Sequence, residues 1–245
     1  MQLRDEYAIR AEISVPRNKL FVETGSGGEQ RSEYRYSESM TNTVARDHWD
    51  SVWRTKRPEE VSWFQERAGL SLELIAEYMP DRTAAIIDAG GGASRLVDAL
   101  LAEGYTDVSV LDLSAPALDV AKARLGASAA RVHWFGADAL EHRPVRPYRV
   151  WHDRAMFHFI RSDDDTARYR ATLERSVAPR GIVIIATFAL DGPQRCSNLD
   201  VRRCGADEMA AALGSSFSLV EQRDEVHRTP WGAEQRFAWF VLRRG

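Results

Sequence analysis

Two rhythms of apolar and polar positions run along the chain. Beyond Asp81, short apolar runs recur at 84–89, 108–113, 132–136, 148–152 and 181–188. Between them lie amphipathic stretches at 94–103, 116–125 and 163–177, each long and periodic enough for a helix. Strands alternating with helices predict an α/β fold with a mostly parallel sheet covered on both faces. The rhythm breaks at the end, where 217–226 and 235–242 are separated by a segment too short for a helix, His227-Arg228-Thr229-Pro230-Trp231-Gly232 and its flanks. An antiparallel terminal hairpin follows.

Upstream of Pro80 the pattern is helical and aromatic. Ser62 and Gln65 have the spacing of a capping box, and Leu70, Leu74 and Tyr78 share one helical face. Residues 41–80 therefore read as a helical cap of one or two helices, joined to a sheet core over 81–245. Residues 1–40 include the polar, glycine-rich stretch 25–33 and read as a loosely ordered extension.

Composition narrows the chemistry. The 245 residues carry 33 basic and 36 acidic side chains, a formal charge of −3. That balance lacks the clustered cations a nucleic-acid binder needs. The two cysteines, Cys196 and Cys204, form no disulfide framework and have no zinc-site spacing. No apolar run approaches a membrane span, and a soluble, cytoplasmic protein is expected.

The first strand runs into Asp88-Ala89-Gly90-Gly91-Gly92-Ala93-Ser94-Arg95, a glycine turn opening a helix. A dinucleotide fingerprint wants a small third residue where Arg95 stands when counting begins at Gly90. Counting from Gly91, Ala93 replaces the second glycine. Asp88 would also repel a pyrophosphate but hold a cationic ligand. Further acids close the next strands: Asp112, which can accept both hydroxyls of a ribose, Asp138, suited to an adenine amino group, and Asp153.

These residues in this order resemble the class I S-adenosylmethionine-dependent methyltransferases over roughly residues 45–245. The resemblance implies a Rossmann-like seven-stranded sheet with the last strand antiparallel and S-adenosyl-L-methionine across the strand ends. It assigns the methionine part to Asp88, Ala89, Gly90, Gly91 and Gly92, the ribose to Asp112 and Leu113, and the adenine to Asp138 and Ala139. Asp153, Arg154 and Trp53 complete the expected cofactor set. The family's commoner glycine motif has a further glycine where Ser94 stands here.

Acceptor candidates come from the remaining loops. No Asn/Asp-Pro-Pro-Tyr/Phe sequence follows the fourth strand, which disfavours planar amino groups as acceptors. His158 and His227 are the expected general bases, and Trp49, Trp63, Cys196 and Gln235 the expected substrate contacts. The tryptophans belong to an N-terminal segment like that of bacterial small-molecule methyltransferases and of a group acting on protein lysines. A small-molecule oxygen, sulfur or carboxylate acceptor is therefore expected, with a protein acceptor as the alternative and no metal. An oxidoreductase and a non-catalytic cofactor binder are the rival readings.

Overall fold

A computed structural model describes residues 42–245. The expected extension over 1–40 lies outside them. Helices α1 (Asn42–Thr55) and α2 (Gly69–Tyr78) precede a regular alternation: β1 (Ile86–Ala89), α3 (Leu96–Ala102), β2 (Val108–Asp112), α4 (Ala115–Leu125), β3 (Val132–Gly136). Then come β4 (Tyr148–Arg154), α5 (Asp163–Ser176), β5 (Val177–Phe188), a small hairpin of β6 (Arg195–Cys196) and β7 (Leu199–Asp200), and α6 (Ala206–Leu213). The long strands β8 (Phe217–Arg228) and β9 (Glu234–Arg244) close the chain.

Seven strands form one sheet in the order β3-β2-β1-β4-β5-β9-β8. The pairs among β1 to β5 are parallel, whereas β9 runs antiparallel to both β5 and β8. The central strand β1 is buried at every position, which is why it lacks polar alternation except at Asp88. Its neighbours divide by face. Ile86, Val110, Ile184 and Trp239 pack with α2 and α3, and Ile87, Trp151, Phe157 and Phe240 pack with α5 and α6.

Local chemistry explains the helix starts. The Ser114 hydroxyl accepts from the Ala117 N–H at α4, with Pro116 just inside. Ser162 caps α5 by accepting from Asp165 N–H, and Asp163, Asp164 and Asp165 complement its first-turn dipole. The Ser62/Gln65 capping box is not used. The chain there is turn, and Gln65 instead donates to Glu225. The reciprocal contact sits earlier, where Arg57 N–H donates to Glu60 beside Pro58. The terminal hairpin forms as expected, its turn closed by Thr229 N–H donating to Ala233 C=O.

Candidate active site

The C-terminal ends of β1, β2 and β4 and the chain leaving β3 open onto a cavity of about 690 Å³. Residues of α1, of the segment 58–65 and of the β6–β7 hairpin complete its walls.

Pairing of β1 with β4 sets Asp88 beside His152. Asp88 Oδ1 lies 2.7 Å from His152 Nδ1, and His152 Nε2 lies 3.0 Å from Ser71 Oγ on α2. With Nδ1–H donating to the carboxylate, Nε2 accepts from the serine hydroxyl. All three side chains are buried and border the cavity. Asp88 Oδ2 is buried with no hydrogen-bond partner among the described residues.

The glycines are sterically required. A Cβ on Gly91 would stand 2.5 Å from Asp88 Oδ2, and one on Gly92 2.9 Å from Asp112 Oδ2. Gly90 has φ +71°, and its Cβ would meet Met156 Cβ at 2.6 Å. At the next strand end Asp112 accepts from Ser114 N–H (2.8 Å). Helix α1 reaches over this point, since Asp50 accepts from Ser114 Oγ (2.7 Å) and Arg46 donates to Leu113 C=O (2.6 Å). Burial, reinforced by the like charges of Asp88 and Asp50, pushes the Asp112 carboxyl up to about 7. Asp138, accepting from Leu140 N–H (2.9 Å), is raised by burial too.

These residues fit S-adenosylmethionine. The orphaned oxygen of Asp88 suits a cationic group, and the glycine cradle leaves room that any side chain would fill. Asp112 and Asp138 offer carboxylates at consecutive strand ends on the cavity wall, which would repel a pyrophosphate.

The β4–β5 end of the cavity differs. Arg154 pairs in register with Ala186 of β5, and its Nη1 donates to Trp63 C=O (3.0 Å). Its guanidinium carbon lies 4.7 Å from the Phe237 ring centre. Its Nε and Nη2 are buried without partners among the described residues. Around it Trp63 and Phe159 meet Trp49 edge to face at 5.8 and 5.0 Å, and Trp53 meets Trp63 at 6.2 Å.

Trp49, Trp53, Trp63, Asp88, Gly90, Gly91, Gly92, Asp112, Leu113, Asp138, Ala139, Arg154 and Cys196 all border this cavity. Five expected residues do not. Ala89 points into the opposite core face, because strand side chains alternate. Asp153 is sealed near the end of β4, where it accepts from Met156 N–H and Phe157 N–H of the following turn and from Tyr169 O–H. Burial pushes that carboxyl up to about 6, and its role is to hold the turn.

His158 is fully buried against Phe159 and Phe188, and both ring nitrogens lack partners among the described residues. Burial, with Arg154 adding to it, drops its pKa to about 3. His227 donates from Nε2 to Ser62 C=O (2.7 Å), and burial lowers its pKa as well. It borders a separate shallow groove with Gln65, Arg67 and Pro230. Neither imidazole reaches the cavity wall. Gln235 pairs with His227 across β8–β9, its Oε1 buried away from the cavity. Cys196 and Cys204 belong to opposite core faces, and burial lifts the Cys196 thiol to about 12.

Sequence reasoning missed Ser71, His152, Phe159 and Asn198 on the cavity wall. His152 was visible as the residue two before Arg154 on one strand face. Ser71 carried no signal, being one small residue on an apolar helix. The aspartates read from the sequence do not make the cavity wall acidic. Five aspartates, including Asp165 and Asp200, share the wall with Arg95, Arg154, Arg161, Arg168 and Arg195.

Residues 86–181 match the family model described as "Methyltransferase domain". No curated protein matches the chain by sequence. Among solved structures, an S-adenosylmethionine-dependent methyltransferase from Anabaena variabilis superposes with a TM-score of 0.65 at 15% identity. The superposition covers 85% of this chain and 96% of that one. The 1,6-didemethyltoxoflavin-N1-methyltransferase of Burkholderia thailandensis, bound to S-adenosylhomocysteine, gives 0.60 at 20%, covering 82% and 84%. The N-methyltransferase NodS of Bradyrhizobium japonicum, also with S-adenosylhomocysteine, gives 0.62 at 13%, covering 81% and 99%.

Proposed function

We propose that this chain, which carries a class I S-adenosylmethionine-dependent methyltransferase domain, passes the methyl group to a small molecule seated at the β4–β5 end of the cavity. When bound, the cofactor supplies a methyl group already activated by a sulfonium. Asp88 with the glycine turn, Asp112 and Asp138 hold and orient it. The acceptor is positioned by Trp49, Trp63, Phe159 and Arg154, and alignment of the reacting atoms supplies most of the rate.

One observation carries this reading: a single cavity runs from Asp138 past the glycine turn to Arg154, bordered at the acceptor end by Trp49, Trp53 and Trp63. A lysine acceptor meets a specific objection there. Its ammonium would have to approach the Arg154 guanidinium, a like charge at short range. Oxygen, sulfur and carboxylate acceptors stand as the preferred class. Nitrogen acceptors are the second reading, supported by the N-methyltransferases that share the fold.

Calorimetric titration with S-adenosylhomocysteine tests the cofactor assignment. Incubation of a cell extract with methyl-labelled S-adenosylmethionine tests the acceptor. Label in the low-mass fraction is expected; label confined to protein sinks the small-molecule reading. NADH binding without S-adenosylhomocysteine binding sinks the cofactor assignment itself.

A further inference from the structure

Arg154 poses an electrostatic problem that the cofactor stations do not solve. A guanidinium has five N–H donors and stays charged. Here one nitrogen is used on Trp63 C=O and one face on Phe237, while Nε and Nη2 are buried and, among the described residues, have nothing to donate to. Buried charges are kept in proteins when something pairs with them. Nε and one terminal nitrogen form the planar fork that matches both oxygens of a carboxylate. Glu225, the carboxylate whose charge acts most on Arg154, already accepts from Gln65 and Trp239, and Asp88 already holds His152 and belongs to the cofactor end.

The imidazoles on this side give a second, independent constraint. Three of the four on this side are hydrogen-bonded, His48 to Ser197 Oγ (3.2 Å), His152 between Asp88 and Ser71, and His227 to Ser62 C=O, and the fourth, His158, is sealed in the core. A hydroxyl or amine acceptor must lose a proton in the reaction. A carboxylic acid has lost its proton in water well below neutral pH. The aromatic wall of Trp49, Trp63 and Phe159 accepts a flat apolar body beside the charge.

We infer that the acceptor is a flat carboxylic acid, that Arg154 binds its carboxylate, and that a carboxylate oxygen takes the methyl group to give a methyl ester. The inference rests on the proposed methyl-transfer reading. In the step, the carboxylate oxygen forms the new C–O bond as the S–CH₃ bond breaks. The bonding pair passes to sulfur and neutralises it, the carboxylate loses its charge, and no proton moves. The neutral ester no longer matches Arg154, which favours its departure.

The test uses the full chain saturated with S-adenosylhomocysteine. Benzoate, phenylacetate and 1-naphthoate are titrated calorimetrically, each beside its neutral amide. Acids are expected to bind at least about tenfold more tightly than their amides in the wild type. Arg154→Met should remove that preference and Arg154→Lys should restore part of it, with S-adenosylhomocysteine affinity held within roughly threefold. Equal binding of acid and amide, or no acid binding at all, overturns the inference. So does a parallel loss of S-adenosylhomocysteine affinity in Arg154→Met, which would assign the guanidinium to the cofactor's own carboxylate. Failure of the wild type to bind S-adenosylhomocysteine would instead fail the methyl-transfer reading. With methyl-labelled S-adenosylmethionine, a bound acid should yield label that alkali releases as methanol. Label that survives alkali, or no ester from any acid that binds, overturns the assignment of the carboxylate as nucleophile.

Discussion

Asp112 makes cofactor binding pH-dependent in a direction that can be worked out beforehand. Its carboxyl sits at about 7 in the ligand-free protein because burial and the neighbouring Asp88 and Asp50 disfavour the charge. Two ribose hydroxyls donating to that carboxylate would favour the charged form, so binding selects the deprotonated protein. With a carboxyl near 7, about nine molecules in ten are competent at pH 8, half at pH 7 and roughly one in ten at pH 6. Apparent affinity for S-adenosylhomocysteine should therefore fall about twofold by pH 7 and about tenfold by pH 6, the latter near 1.4 kcal/mol. Binding at pH 6.5 should release protons, read from calorimetry in two buffers of different ionisation enthalpy. Asp112→Asn should weaken binding by about 10- to 100-fold at pH 8, the loss of hydrogen bonds to a charged acceptor. It should also flatten the pH profile, which separates Asp112 from Asp138 and from the ligand's own amine. A wild-type profile flat between pH 8 and 6, or one unchanged in Asp112→Asn, refutes the argument.

Three further outcomes follow from the geometry. Gly90→Ala places a methyl 2.6 Å from Met156 Cβ on a backbone with φ +71°, and should abolish S-adenosylhomocysteine binding and lower the melting temperature; near-normal affinity would show that the turn is not the cradle. Tyr169→Phe strips the O–H that donates to buried Asp153 (2.7 Å) and should cost about 1–3 kcal/mol in urea unfolding while leaving cofactor affinity nearly unchanged; a loss of binding without a loss of stability would return Asp153 to the cofactor set. His158→Phe replaces an imidazole with two unmatched buried nitrogens and should leave stability equal or higher, with methyl transfer in the extract assay retained; loss of transfer with S-adenosylhomocysteine binding intact would make His158 the base after all.

The strand ends were legible because their chemistry is periodic. Asp88, Asp112 and Asp138 each terminate an apolar run, and parallel strands deliver their C-terminal ends to one side of a sheet, so order in sequence became adjacency in space. Asp153 misled for the same reason: it ends a strand too, but the backbone reverses at Ala155, φ +68°, and turns that carboxylate into a cap for Met156 and Phe157. The histidines misled differently. Being next to an active segment says nothing about which way a side chain faces, and on His158 burial overrules position. Helix α6 escaped notice because its eight residues fall between a loop and a long strand, and short apolar runs do not distinguish helix from strand.

The cavity draws its two ends from different kinds of structure, and this bears on how such a protein changes over generations. The proposed cofactor contacts sit at strand ends, where Gly91 and Asp88, or Gly92 and Asp112, are locked together by steric fit. Most substitutions there damage the turn itself. The opposite end is assembled from α1, a turn and a hairpin of two short strands, pieces outside the central sheet, with Arg154 of β4 the one sheet residue among them. On the proposed reading, exchanges at Trp49, Trp63 or Asn198 would alter the acceptor while leaving the methyl-donor site intact.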